Sequence, residues 1–150
     1  MRLGTARRLL PWAPLAIRFA LGVIFIAHGA QKLFGVWEGP GLSATLEMFK
    51  TSVGIPAYLL LLAVATEFLG AVAVSIGLLT RIASAGLAID MMIAIVKVHL
   101  ANGFFLNWSS MPGKGHGYEF NLALLAMSIA LSLSGPGKLA LDHVLGFEEE

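Results

Sequence analysis

Four apolar runs, at about 15–34, 57–79, 82–99 and 118–134, limit what this chain can fold into. Each is close to the roughly 20 residues that a helix needs to cross the hydrocarbon core of a bilayer. In lipid, backbone N–H and C=O groups must be satisfied within the segment, so such runs become helices. Of the 150 residues 57% are hydrophobic and only 13% are charged, a balance too apolar for a soluble domain. The reading is an all-α membrane protein in which residues 1–150 form a single transmembrane domain, a four-helix transmembrane bundle.

The joints between the runs fill in the plan. Within 35–56 the piece LSATLEMFK sets Leu42, Leu46 and Phe49 on one helical face. It reads as a short interfacial helix between helices 1 and 2. The sequence GLLTRIAS leaves almost no loop, so the second and third helices should turn around Thr80 and Arg81 and lie antiparallel. The stretch NGFFLNWSSMPGKGHG suits an irregular lid at the membrane surface, with Phe104, Phe105 and Trp108 as an interfacial aromatic belt. At the N-terminus Arg7 and Arg8 precede an apolar core, the outline of a cleaved leader. The run continues to Phe34 and holds Arg18, so a retained helix is the better reading.

Charge narrows the class further. A net charge of +1 without a basic stripe gives no footprint for nucleic acid. The absence of cysteine removes disulfides, thiolate catalysis and cysteine-ligated cofactors, so redox chemistry would need another cofactor or a partner protein. Arg2, Arg7, Arg8, Arg81 and Lys138 fall on one side of the expected bundle, and Lys50 and Lys114 on the other. By the positive-inside rule both termini are cytoplasmic. The tail Glu148 to Glu150 does not count against this, because the rule concerns Lys and Arg.

Inside the runs the ionisable groups are too many for a passive anchor, since each costs on the order of 2.5–3.5 kcal/mol at the bilayer centre. In FIAHGAQKLFG, His28, Gln31 and Lys32 share one helical face. At about 1.5 Å per residue, His28, Glu67 and Asp90 fall about 10–15 Å deep on three helices. Nearer the surface come Gln31, Lys32, Lys97, His99, Glu119 and Asn121, with His116 in the adjoining loop. Asp90 and Lys97 lie one heptad apart on a common face. Arg18 is placed near the cytoplasmic end, where it can snorkel to water. Such groups can act simply as polar glue, with Gly22, Gly29, Gly70 and Gly77 allowing helices to approach. Two layers of them converging from all four helices favour a pocket instead. Bis-histidine haem ligation is disfavoured by the unlike depths of His28 and His99. The Glu-x-x-His pairs of carboxylate-bridged metal sites are missing, so no metal site is expected.

Several motifs in order resemble the DoxX family of small bacterial membrane proteins. They are RFALGVIFIAHGAQKLFG, ATEFLGAVAVSIGLLTRIAS, KVHLANGFF and GYEFNLALLAMSIALSLSGPGKLALD, covering about Arg18 to Asp142. The resemblance implies a four-helix membrane bundle in the bacterial inner membrane. It also implies association with oxidoreductase systems, including a thiosulfate:quinone oxidoreductase and a complex handling oxidative and thiol stress. Asp90 departs from the family pattern, in which that helix is apolar apart from its outer end.

Together these readings make His28, Gln31 and Lys32 one wall of a polar cavity open to the periplasmic side, closed by Glu67, Lys97, His99, Glu119 and Asn121. A quinone suits it: carbonyl oxygens accept from His or Lys, the ring rests on aromatic side chains and the tail stays in lipid. His28 beside Glu67 would supply the proton-transferring catalytic pair. The first reading is therefore a subunit of a quinone-linked oxidoreductase system, working with a soluble or membrane redox partner. The second is a noncatalytic scaffold or assembly module for redox or stress-response proteins. A third, a small-molecule or anion pathway along Lys32 and Lys97, leaves little room for alternating access. The pattern permits an oligomer.

Overall fold

The structure, a computed structural model, describes residues 8–148. Arg2, Arg7, Glu149 and Glu150, which entered the charge reading, lie outside the described residues. A 3-10 turn at Leu10–Trp12 leads into α1 (Ala13–Phe34). Then come α2 (Gly41–Val53), α3 (Ala57–Ile76), α4 (Thr80–Asn102), α5 (Glu119–Ser134) and the short α6 (Leu141–Val144). Two π-helical turns interrupt the long helices, Thr66–Gly70 in α3 and Ile95–His99 in α4. The described residues contain no strand.

Three stretches are long and apolar enough to cross a membrane: Leu10–Phe34, Ala57–Ile76 and Thr80–Asn102. The apolar α5 is shorter, at 16 residues. The chain is the all-α membrane protein that its apolar runs imply. α1 packs on α3 and α5, and α4 packs on the same two helices, so the four surround a common axis. Leu21 and Phe25, Ala71 and Val74, Leu87 and Met91, and Leu124 and Leu131 meet there, one pair from each helix. The outward side chains are apolar too: Phe19, Leu62, Ile82 and Leu133 are 63–75% exposed. Helices apolar on the inside and the outside need lipid as the outer solvent.

The seam between α1 and α3 depends on small residues. A Cβ on Gly22 would stand 2.0 Å from Ser75 Oγ, and one on Gly29 would stand 2.9 Å from Phe68 Cβ. Spaced one heptad apart, these glycines let the two backbones approach closely. α2 lies as its pattern requires, with Leu42, Leu46 and Phe49 half-buried around the buried Thr45 and with Glu47 and Lys50 exposed.

The turn between α3 and α4 comes earlier than expected. Gly77 ends α3 in the left-handed region (φ 71°), Leu79 follows with φ 47°, and Thr80 is already helical. What fixes this start is Asp142, sixty-odd residues away in sequence. Its carboxylate accepts the N–H of Leu79 (2.6 Å) and of Thr80 (2.9 Å), capping the positive end of α4 while itself only 2% exposed.

Arg18 corrects a second expectation. It does not snorkel to water; it is 1% exposed. Its Nε donates to Val74 O (2.9 Å), and its two terminal nitrogens donate to Ser75, Pro136, Lys138 and Leu139 oxygens at 3.0–3.1 Å. All five guanidinium N–H groups are spent on carbonyls at the end of α3 and in the non-helical segment after α5. Removing the side chain strands buried acceptors at once. Arg18→Met should cost at least about 3 kcal/mol in reversible unfolding in detergent, and Arg18→Lys should recover only a minor part, because an ammonium cannot span both stretches. A loss under about 1 kcal/mol for Arg18→Met would contradict this account.

Candidate functional site: a charged cavity between the helices

At the end of the bundle away from Arg18, the helix axes enclose a cavity of about 470 Å³. That lies within the roughly 300–1,000 Å³ of small-molecule sites. All four long helices line it, α2 contributes Phe49, and the segment before α5 contributes Leu106 and His116. Most of the wall is apolar, with Phe25 and Ile24 from α1, Leu60 and Val64 from α3, Met91 and Ala94 from α4, and Phe120 and Leu124 from α5.

The π turns carry ionisable wall residues: Glu67 in the first, Lys97 and His99 in the second. A π turn inserts one residue into the helix and swings the following side chains around the axis, a deviation that recurs at functional sites. Glu67 is buried and receives its ion pair from Lys32, whose Nζ donates to Oε2. His28, expected as the partner of Glu67, lies one turn before Lys32 and lines the same cavity, without a side-chain hydrogen bond to any described residue. The lysine wins because its longer chain reaches the carboxylate and cancels its charge, which an imidazole does only when protonated.

Six of the expected site residues stand on the cavity wall: His28, Lys32, Glu67, Lys97, His99 and Asn121. Asp90 and His116 stand there as well. Gln31 and Glu119 do not. Gln31 Nε2 donates to Trp37 O (3.3 Å), tying α1 to its own following loop. Glu119 Oε1 accepts the N–H of Leu106 (2.8 Å) and the indole N–H of Trp108 (3.2 Å), and these bonds fasten the lid.

The lid is well knit. Glu119 N–H returns to Phe104 O, Asn107 bridges Met111 and Lys114, and the Phe104 ring meets Tyr118 edge to face at 5.3 Å. It also sets two imidazoles. His99 Nδ1 donates to the carbonyl of His116 (2.9 Å), so in the neutral ring Nε2 is an acceptor. His116 Nδ1 accepts the N–H of Asn107 (3.2 Å), so the proton sits on Nε2, a donor. Asn121 Nδ2 has only Met91 Sδ at 3.6 Å, a weak acceptor that leaves the amide free for a stronger one. The sequence carries no signal for these tautomers, which depend on backbone groups of the folded lid.

The Lys32–Glu67 pair makes a direct prediction. Lys32→Met should destabilise the fold by about 3–5 kcal/mol, because it leaves Glu67 buried and unpaired, and adding Glu67→Gln should restore much of the loss. In the same unfolding assay, His28→Ala and Glu67→Ala should combine nearly additively. Strong coupling between His28 and Glu67, with none between Lys32 and Glu67, would overturn the assignment.

Comparison with known proteins agrees with this architecture. The "Putative oxidoreductase CatD" of Bacillus subtilis is 34% identical over 128 residues, covering 85% of this chain and 83% of that protein. The "Uncharacterized membrane protein Rv3486" of Mycobacterium tuberculosis is 35% identical over 141 residues, covering 90% of this chain and 82% of that protein. No solved structure gives a significant match. The DoxX family model matches residues 13–100, the stretch from α1 through the cavity wall of α4, and the chain belongs to the DoxX family.

Proposed function

We propose that the chain is an integral membrane subunit of a quinone-linked oxidoreductase system, and that the cavity receives the quinone head. The observation that carries this reading is the make-up of one cavity: apolar walls from every helix and a few hydrogen-bonding side chains at fixed places. Lys97, the His116 Nε2–H and the Asn121 amide are donors for a quinone oxygen. Phe49 and Phe120 offer faces for the ring. His28 and Glu67 are the groups that would hold or pass a proton. Electrons would come from a soluble or membrane redox partner, since the chain has no cysteine to carry them. The printed name of the Bacillus relative points to the same class of chemistry.

The reading includes four spans in the bacterial inner membrane, both termini in the cytoplasm and a cavity open to the periplasmic side. Arg8, Arg81 and Lys138 at one end of the bundle and Lys50 and Lys114 at the other support that orientation. A noncatalytic scaffold has one observation in its favour: Phe105 and Trp108 on the lid are 70% and 79% exposed, a surface that a partner protein could grip.

Binding of decylbenzoquinone to the purified protein in nanodiscs separates the two. Lys97→Met and Asn121→Leu should each weaken it by about tenfold while the fold survives, because groups near the interface cost little to insert. Trp108→Ala should leave it unchanged. Full binding by both cavity variants, with loss of a co-purifying partner on Trp108→Ala, would replace the quinone site with the scaffold.

A further inference from the structure

We propose that the cavity is entered sideways from the membrane: on the lid side of the bundle α3 and α4 part, leaving a slot that admits the polar head of a single-chain amphiphile and keeps its chain in lipid. The inference rests on the reading of the cavity as the quinone-head site and adds the route into that site and the part of the ligand that stays outside it.

The seam between α3 and α4 is tight over the half nearer Arg18. A Cβ on Gly70 of α3 would stand 3.7 Å from Leu87 Cδ2 and 3.8 Å from Ala83 O, and one on Gly86 of α4 would stand 3.0 Å from Thr66 Cγ2. Thr66 opens the π turn of α3. α4 packs on that turn and on the α3 residues that follow it, whereas the preceding stretch, Ala57–Ala65, has no comparable packing on α4. Ala83, Gly86, Asp90 and Ile93 follow one another at three- and four-residue spacing, so they share a face of α4. The first two meet α3, and the last two line the cavity.

Ile93 stands where the wall ends. Leu60 and Met91, which also line the cavity, are 5% and 6% exposed, but Ile93 is 43% exposed. Around it the outer surfaces of both helices are apolar, with Leu59 and Leu62 on α3 and Ile89, Met92 and Val96 on α4 all exposed, so lipid chains meet the opening. The neighbouring seams are held up to the lid. Lys32 and Glu67 join α1 to α3, Asn121 reaches Met91 between α5 and α4, and His99 and Asn102 both donate to the His116 carbonyl. Phe120, at the first turn of α5, lines the cavity with similar exposure and marks the other candidate exit, but α5 packs on α1. A ligand that enters through the slot keeps its chain out of water throughout, whereas entry past the lid would carry the chain through the aqueous phase. Lys97, exposed one turn beyond Ile93, gives the head a donor at the same edge.

The test uses the full chain in nanodiscs and a decylbenzoquinone that carries a photoreactive diazirine near the head end of its chain. After irradiation, labelled residues are mapped by mass spectrometry with and without excess unlabelled decylbenzoquinone. Label that the competitor removes should fall on residues 59–63 of α3 and 92–96 of α4. Ala63→Trp, which narrows the slot, should slow association of decylbenzoquinone by about tenfold, and Ile82→Trp, on the lipid face near the Arg18 end, should not. Competitor-sensitive label on α1, α5 or the lid instead, or an unchanged rate in Ala63→Trp, would overturn the slot and leave the quinone site standing. Failure of the wild-type protein to bind decylbenzoquinone at all would overturn both. The wild-type map decides the matter even if Ala63→Trp does not fold.

Discussion

Arg18 brings together parts of the chain that share no helix. Its five donors join the end of α3 to the segment after α5, and Asp142 from the same neighbourhood caps the start of α4. In a bilayer the carbonyls at helix ends have no water to turn to within the hydrocarbon region, so a buried arginine is a way of closing the bundle there. Gly77 belongs to the same arrangement: a Cβ at that position would stand 2.6 Å from Ala140 Cβ and 2.7 Å from an Arg18 terminal nitrogen.

In the cavity the polar groups have a different logic. Lys32 and Glu67 neutralise one another across α1 and α3, while Asp90, Lys97 and His28 line the cavity without a side-chain hydrogen bond to any described residue. The two π turns set Glu67, Lys97 and His99 on the wall, and the lid sets the tautomers of His99 and His116. An apolar shell with a few directed donors and acceptors is the composition of a small-molecule site, and its position inside the bundle favours a ligand that partitions into lipid.

Much of this was legible in the residues. The helices followed from run length, α2 from the spacing of Leu42, Leu46 and Phe49, and the meeting of His28, Lys32, Glu67, Asp90, Lys97, His99 and Asn121 from helical depth and facing. What stayed hidden depends on backbone groups brought together by the fold. Arg18 reads from sequence as a snorkelling cation because its five partners are carbonyls, which every residue carries. Glu119 reads as a cavity residue because nothing in the sequence shows that the N–H of Leu106 and the indole of Trp108 will reach it first. Gln31 turned to Trp37 O for the same reason, and a π turn has no local signature that would have placed Glu67 opposite Lys32.

The most direct measurement is of what the protein carries when purified from its own membrane in a mild detergent, by native mass spectrometry with extraction and identification of the released molecule. A quinone or hydroquinone retained in near-stoichiometric amount by the wild-type protein, and lost from Lys97→Met while the bundle stays folded, is the predicted result. A well-folded protein carrying only phospholipid would contradict the account.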